Sequence, residues 1–315
     1  MHDEPRPGPR PATSDQGPYR QVEQNAAPAL TTDGKEMTGT DIGILHPGAM
    51  GAQVGAQAAG AGARVWWLPQ GRGPQSADRA REAGLRPAES VAELAGTCRI
   101  ILSVCPPAAA LEVARLVAAT PFSGVYVDAN AISPAHAQAV AELFGTRAQV
   151  VDGGIVGGPP VRPGTRLYLS GPREAADEVG SVFEPTLLQP RVLDGPVGQA
   201  SALKLAFASF NKISYLLAAQ SFALADAHGV LPELVSLAAH AAPGTLLAKP
   251  DQVTSAGPRA WRWAPEITEI AEALSAHGLP ADVADAAARL FARWADLKDA
   301  PDPTLEQLIS GLHGD

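Results

Sequence analysis

Cysteine is nearly absent from this chain of 315 residues: only Cys98 and Cys105 occur, too few and wrongly spaced for a disulfide framework or a zinc cluster. Both read as small core residues of a cytoplasmic protein, with Cys105 placed where a strand should end, and no metal is expected. A basic surplus is missing too. The formal net charge is −9 and the pI about 5.3, and no Lys/Arg-rich stripe occurs, so nucleic acid is not an expected partner. Nor is there a long uninterrupted apolar run. The most apolar segment, 200–225, carries Lys204, Asn211 and Lys212, which argues for a buried helix and against a membrane span.

What is present is a 46% hydrophobic complement, enough for a substantial core and two domains of ordinary size. Residues 1–39 do not contribute to it. Crowded with Pro, Gly and polar side chains and without hydrophobic periodicity, they are expected to form a disordered leader with no secretory signal.

From Asp41 the pattern changes. The apolar run Ile42-Gly43-Ile44-Leu45 is followed by a Gly-containing turn, an Ala-rich stretch from Ala49 to Ala61 and a second β-type run, Arg64-Val65-Trp66-Trp67-Leu68. Strand, helix and strand within about 30 residues make a βαβ unit. Further strand-like runs at 99–104, 124–128, 149–152 and 166–170 predict a mainly parallel sheet covered by helices, a Rossmann-type α/β domain over residues 40–195. After Gly195 the chain is Ala- and Leu-rich at helical spacing, which predicts an all-α domain over 196–315. Its first helix, from about Gly198 to Ala227, would be about 45 Å long at 1.5 Å per residue.

The turn after the first strand reads His46-Pro47-Gly48-Ala49-Met50-Gly51. In the dinucleotide fingerprint the second glycine lets backbone approach a pyrophosphate and the third lets the helix pack against the strand, and Gly48 and Gly51 take those places. His46 replaces the first glycine and reads as structural. The following helix N-terminus, with the amides of Ala49 and Met50, can hold an anion. The loop after the second strand has no acidic residue to accept a ribose 2′-hydroxyl but has Arg72 and Ser76, which points to NADP(H) over NAD. The alternative for Arg72 is a solvated loop cation.

Three strand-end loops, Val104-Cys105-Pro106, Asp128 to Pro134 with Asn130 and Ser133, and Asp152 to Pro160 with Gly153, Gly154, Gly157 and Gly158, fall where open α/β sheets bind ligands, beyond the carboxyl ends of the strands. The first is expected beside the cofactor and the others beside substrate. Simple turn chemistry is the alternative for each. Lys204 and Asn211, seven residues apart, share one helix face, and Lys212 is turned from Lys204 by about 80°. An ammonium on so apolar a helix needs a polar cavity or partner. The alternative is a lysine that snorkels to the surface.

Together, the turn at 44–51, the Asp128–Pro134 loop and Ala260-Trp261-Arg262-Trp263-Ala264-Pro265-Glu266 resemble the β-hydroxyacid dehydrogenase and 6-phosphogluconate dehydrogenase superfamily. They look like a 6-phosphogluconate dehydrogenase-like subgroup with its own C-terminal domain, and the similarity to the superfamily runs from about Asp41 to Asp299. The resemblance implies an NADP-dependent oxidoreductase that moves hydride between the cofactor and the hydroxyl or carbonyl carbon of a small anionic substrate. It makes Lys204 the general acid/base and implies a homodimer formed through the helical domain. The family's asparagine one turn after its lysine is Ala208 here, with Asn211 two turns on as a substitute. Rival readings are an NADPH-dependent imine reductase, against which a lysine at 204 argues, and a non-catalytic NADPH-binding protein.

Overall fold

Residues 39–298 and 300–313 are described in the computed structural model. The leader expected over 1–39 lies, apart from Gly39, outside the described residues. Eight strands follow one another as β1 (Asp41–Ile44), β2 (Arg64–Trp67), β3 (Arg86–Pro87), β4 (Ile100–Ser103), β5 (Val125–Asp128), β6 (Gln149–Val156), β7 (Thr165–Ser170) and β8 (Leu188–Val192). The helices of this half are α1 (Ala49–Gly60), α2 (Pro74–Glu82), α3 (Val91–Thr97), α4 (Ala110–Ala118), α5 (Pro134–Phe144) and α6 (Arg173–Phe183). The C-terminal region is helical: α7 (Gln199–Ala227), α8 (Leu231–Ala241), α9 (Pro250–Val253), α10 (Gly257–Ala276), α11 (Asp282–Ala292) and α12 (Leu305–Leu312).

The strands form one sheet in the order β3-β2-β1-β4-β5-β6-β7-β8. Every neighbouring pair is parallel except β6 and β7, which form an antiparallel hairpin. Strand alternation divides the apolar side chains between two faces. Ile42, Ile44, Ile100, Leu102, Val125 and Val127 pack with α1 and α6, and Ile101, Tyr126 and Val150 pack with α3, α4 and α5. The chain leaves β1 for β2 on one side and β4 on the other, so the sheet has its topological switch point at the carboxyl ends of β1 and β4, where open α/β sheets bind ligands.

The helical region has its own core, built from one side of α7 (Leu205, Leu216, Phe222) with Trp263, Ile267, Phe291 and Trp294. The sheet region and the helical region pack together as one compact unit. No helix among the described residues is long and apolar enough to cross a membrane. Two short strands, β3 and β8, were not foreseen. One boundary also moves: β6 continues to Val156, so Gly153 and Gly154 lie within a strand and not in a strand-end loop.

Candidate active site

The turn between β1 and α1 is closed by the Gly48 amide, which donates to the His46 carbonyl at 2.9 Å. The two glycines of this turn have different reasons to be there. A Cβ on Gly51 would lie 2.0 Å from the His46 carbonyl oxygen, so only glycine lets α1 start against the turn. A Cβ on Gly48 would meet nothing within 4 Å, and its φ of −70° suits any residue. Nothing among the described residues therefore demands glycine at 48. The first turn of α1 has no acidic side chain, and helix geometry leaves the amides of Ala49, Met50 and Gly51 without intrahelical acceptors.

Arg72 reaches this turn from the loop after β2. Its Nε and the Nδ1 of His46 are both buried without a hydrogen-bond partner among the described residues. Burial first, and the Arg72 charge second, pull His46 down to a pKa of about 4, so its imidazole is neutral. Burial also lowers the Arg72 guanidinium, and the Cys105 side chain lies close enough to influence it. A desolvated cation with an orphaned donor beside an open helix N-terminus fits a dinucleotide phosphate. Ser76, half-buried in the first turn of α2, is nearby in sequence.

The Val104-Cys105-Pro106 turn follows β4. Burial raises Cys105 to about 11, which keeps it a thiol. Its amide donates to Asn130 Oδ1 at 2.5 Å, while Asn130 Nδ2 donates to Ser103 Oγ (3.1 Å) and Asp128 Oδ2 (2.9 Å). The buried Asn130 side chain is thus occupied in joining the loops after β4 and β5. Its carbonyl accepts from Lys204 Nζ at 3.1 Å. Burial brings Lys204 down to about 8, with Glu266, Asp128 and Asp152 opposing and Lys212 reinforcing that shift. Asp128 is pushed up to about 7, chiefly by burial and also by Asp152, against the pull of the Asn130 hydrogen bonds and Lys204.

Lys204 stands where it does because of Asp152, whose role the sequence did not reveal. This buried carboxylate accepts from the Gly198 amide (3.0 Å), the Ser201 amide (2.8 Å), Ser201 Oγ (2.6 Å) and Ser170 Oγ (3.1 Å). It caps α7 one turn before the lysine. Gly154 lets the helix sit on β6: a Cβ there would come within 2.7 Å of the Ala200 carbonyl oxygen. Gly153 likewise packs under Ala129. Of the four glycines expected beside substrate, Gly158 is the one that faces open space; Gly157 bends tightly against Thr165. Ser133 is buried, and its hydroxyl caps α5 by accepting from the His136 amide at 3.3 Å.

Asn211 shares the Lys204 face but is exposed, without a hydrogen bond among the described residues. Lys212 instead turns inward, buried and ion-paired with Glu266 of α10, with Nζ 5.8 Å from the Trp263 ring centroid. One turn on, Glu269 accepts from the Ser133 amide (2.6 Å) and pairs with His136 Nδ1 (2.9 Å), so α10 is fastened to the start of α5. Glu272 lies close enough to bring potential ligand atoms of all three side chains within 4.8 Å; the His136–Glu269 pair already gives this cluster a partner.

Two families match the chain: the NAD binding domain of 6-phosphogluconate dehydrogenase over residues 41–186 and a domain of unknown function, DUF1932, over residues 225–294. No curated protein matches it. Among solved structures, Mycobacterium tuberculosis 3-hydroxyisobutyrate dehydrogenase with L-serine is 21% identical, with a TM-score of 0.69 over 87% of this chain and 99% of that one. The 3-hydroxyisobutyrate dehydrogenase of Salmonella typhimurium is 20% identical, with a TM-score of 0.67 over 86% and 99%. A reductive aminase from Aspergillus terreus in complex with NADPH and ethyl levulinate is 22% identical, with a TM-score of 0.55 over 88% and 100%. Residues 41–186 thus match a dinucleotide-binding domain, and the chain shares its fold with 3-hydroxyisobutyrate dehydrogenases and with a reductive aminase.

Proposed function

We propose that this protein is an NADP-dependent oxidoreductase acting on the hydroxyl or carbonyl carbon of a small anionic substrate, with Lys204 as general acid/base, and that it works as a cytoplasmic homodimer. The observation that carries this reading is the Lys204 ammonium at 3.1 Å from the Asn130 carbonyl, beyond the carboxyl ends of β4 and β5 and with a pKa brought down to about 8. A lysine there can hold or release a proton near neutral pH.

The turn at Gly48–Gly51 with the Ala49 and Met50 amides would take the pyrophosphate, Arg72 and Ser76 the 2′-phosphate, and the Val104–Pro106 turn the nicotinamide side. When bound, NADP(H) supplies the hydride acceptor or donor. In oxidation, neutral Lys204 takes the hydroxyl proton while the carbon loses hydride, and two electrons leave with that hydride. In reduction, protonated Lys204 returns the proton to the oxygen. The Asn130 carbonyl orients the ammonium, and Ser133 and Gly158 would belong to the loops that face substrate.

The likeness to an NADPH-bound reductive aminase supports a second reading, reduction of an imine. An iminium would carry positive charge toward Lys204, Lys212 and Arg262, so an anionic oxygen substrate suits the site better. Turnover of NADPH with a panel of ketoacids, aldehydes and cyclic imines tests this. Ketoacid reduction that Lys204→Ala lowers by about 10²–10⁴-fold is expected. Imine turnover alone would favour the second reading, and no turnover with tight NADPH binding would favour a binding protein.

A further inference from the structure

Resting on that reading, we propose that Arg262 of α10 is the anchor for the substrate's anionic group, with Glu266 and Lys212 as the residues that position it. The helix repeat puts Arg262, Glu266 and Glu269 at i, i+4 and i+7 on one stripe. The neighbouring stripe, Trp263, Ile267 and Ile270, is buried in the helical core, so the charged stripe is turned away from that core. Its two carboxylates show where it goes. Glu269 is bonded to the Ser133 amide and His136 at the start of α5, and Glu266 is paired with Lys212 of α7 and acts on Lys204. Arg262 continues the same stripe one turn further toward the N-terminus of α10.

Both carboxylates of this stripe already have partners. Lys204 is faced by Asp128 and Asp152 as well as by Glu266; the carboxylate near Arg262 is Glu266, and Lys212 already occupies it. The other carboxylate, Glu269, is taken by His136. Burial disfavours the charge on Lys204 and Lys212, whereas Arg262 is exposed and has no ion pair or hydrogen bond among the described residues. A guanidinium without a partner on a stripe whose carboxylates are engaged is open to an anion. Arg262 is also solvent-accessible, as an anchor for an incoming group must be, and its planar fork suits a carboxylate or a phosphate in bidentate contact.

The test uses the full chain loaded with NADP⁺ and two probes, malonate and inorganic phosphate, titrated by calorimetry and by thermal shift. At least one probe should bind the wild type saturably. Arg262→Gln should raise the probe's Kd about tenfold or more. Arg262→Lys should fall between, since it keeps charge without the fork. The exposed Arg191→Gln should bind like wild type. Malonate binding alone assigns a carboxylate, and phosphate binding alone assigns a phosphate. NADPH affinity and the unliganded melting temperature serve as fold controls, with Arg262→Lys as the variant to use if Arg262→Gln does not fold. Failure of both probes to bind the wild type, or equal binding by wild type and both Arg262 variants, overturns the proposal. Because no turnover is read, neither result depends on Lys204 being the proton carrier.

Discussion

Lys204 Nζ donates to the main-chain carbonyl of Asn130 at 3.1 Å, and that one bond ties the first turns of α7 to the loop after β5. The loop also carries Asp128, so an ammonium with a pKa of about 8 and a carboxyl with a pKa of about 7 face one buried site. Two groups this close titrate as a pair. If Lys204 moves the proton, kcat/KM for oxidation should climb as pH rises through about 8 and level off above it. For reduction it should fall over the same range. Rates measured from pH 5.5 to 10 decide the matter: a profile for oxidation that is flat between 7 and 9 removes Lys204 from proton transfer. Lys204→Arg keeps charge but cannot exchange the proton, so it should be nearly as inactive as Lys204→Ala.

The same lysine has a stability signature. Its folded pKa lies below its ordinary value of 10.5, so the charged form is penalised on folding. The penalty is fully present below about 8, where both states are protonated, and is relieved as pH rises toward 10.5 because the folded state then holds fewer protons. Lys204→Met should therefore raise the melting temperature at pH 7, with the gain shrinking between pH 8 and 10.5. A loss of stability at pH 7 would mean that the Asn130 contact outweighs the burial of charge.

Gly48 and Gly51 should respond oppositely to alanine. Gly51→Ala drives a methyl into the His46 carbonyl and should lower the melting temperature of the cofactor-free protein. Gly48→Ala meets open space and should leave it nearly unchanged while weakening NADPH about tenfold or more through loss of close phosphate approach. Calorimetric titration with NADPH gives the second quantity; unchanged affinity in Gly48→Ala would place the pyrophosphate elsewhere.

The mainly parallel sheet and the helical region after it were legible because hydrophobic alternation and helical spacing are local signals. Gly153 and Gly154 lie within β6, a boundary that sequence could not fix, because a glycine pair looks the same whether it ends a strand or lets a helix backbone approach one, as Gly154 does under Ala200. Asp152 was invisible for the converse reason, since its four donors come from Ser170, Gly198 and Ser201, brought together only by the fold. Spacing placed Asn211 on the Lys204 face, but it could not tell that the inward partner of α10 would be Lys212.

Asp152 gives a prediction of its own. Alanine there would strand two amides and two hydroxyls in a buried place, a loss of about 3 kcal/mol or more, since bonds to a charged acceptor contribute about 1.5–3 kcal/mol each and are not additive. Because the start of α7 would be freed, Lys204 should lose its position as well. Asp152→Ala should lower both the denaturation midpoint and kcat. Asp152→Asn, which keeps one acceptor oxygen, should recover part of each. An active but unstable Asp152→Ala would separate the cap from the placement of Lys204.

The outer face of α7 carries the prediction about assembly. Leu203, Phe207, Phe210, Leu217 and Leu224 are 40–81% exposed and are spaced by 4, 3, 7 and 7 residues, the repeat of a coiled-coil seam. The two hydroxyls that interrupt it, Ser214 and Ser221, turn back onto the carbonyls of Phe210 and Leu217 at 2.6 and 2.9 Å, so the stripe presents little polarity. A contiguous apolar stripe along a helix of 29 residues is what a two-fold contact with a second copy would cover, because each helix can offer the same seam to the other. Light scattering should give about twice the 32.4 kDa chain mass. The pair Phe210→Asp and Leu217→Asp should reduce it to one chain while leaving NADPH binding at Gly48 and Arg72 intact. A wild type that runs as a monomer at micromolar concentration would refute the homodimer, and a double variant that stays dimeric would move the interface off α7.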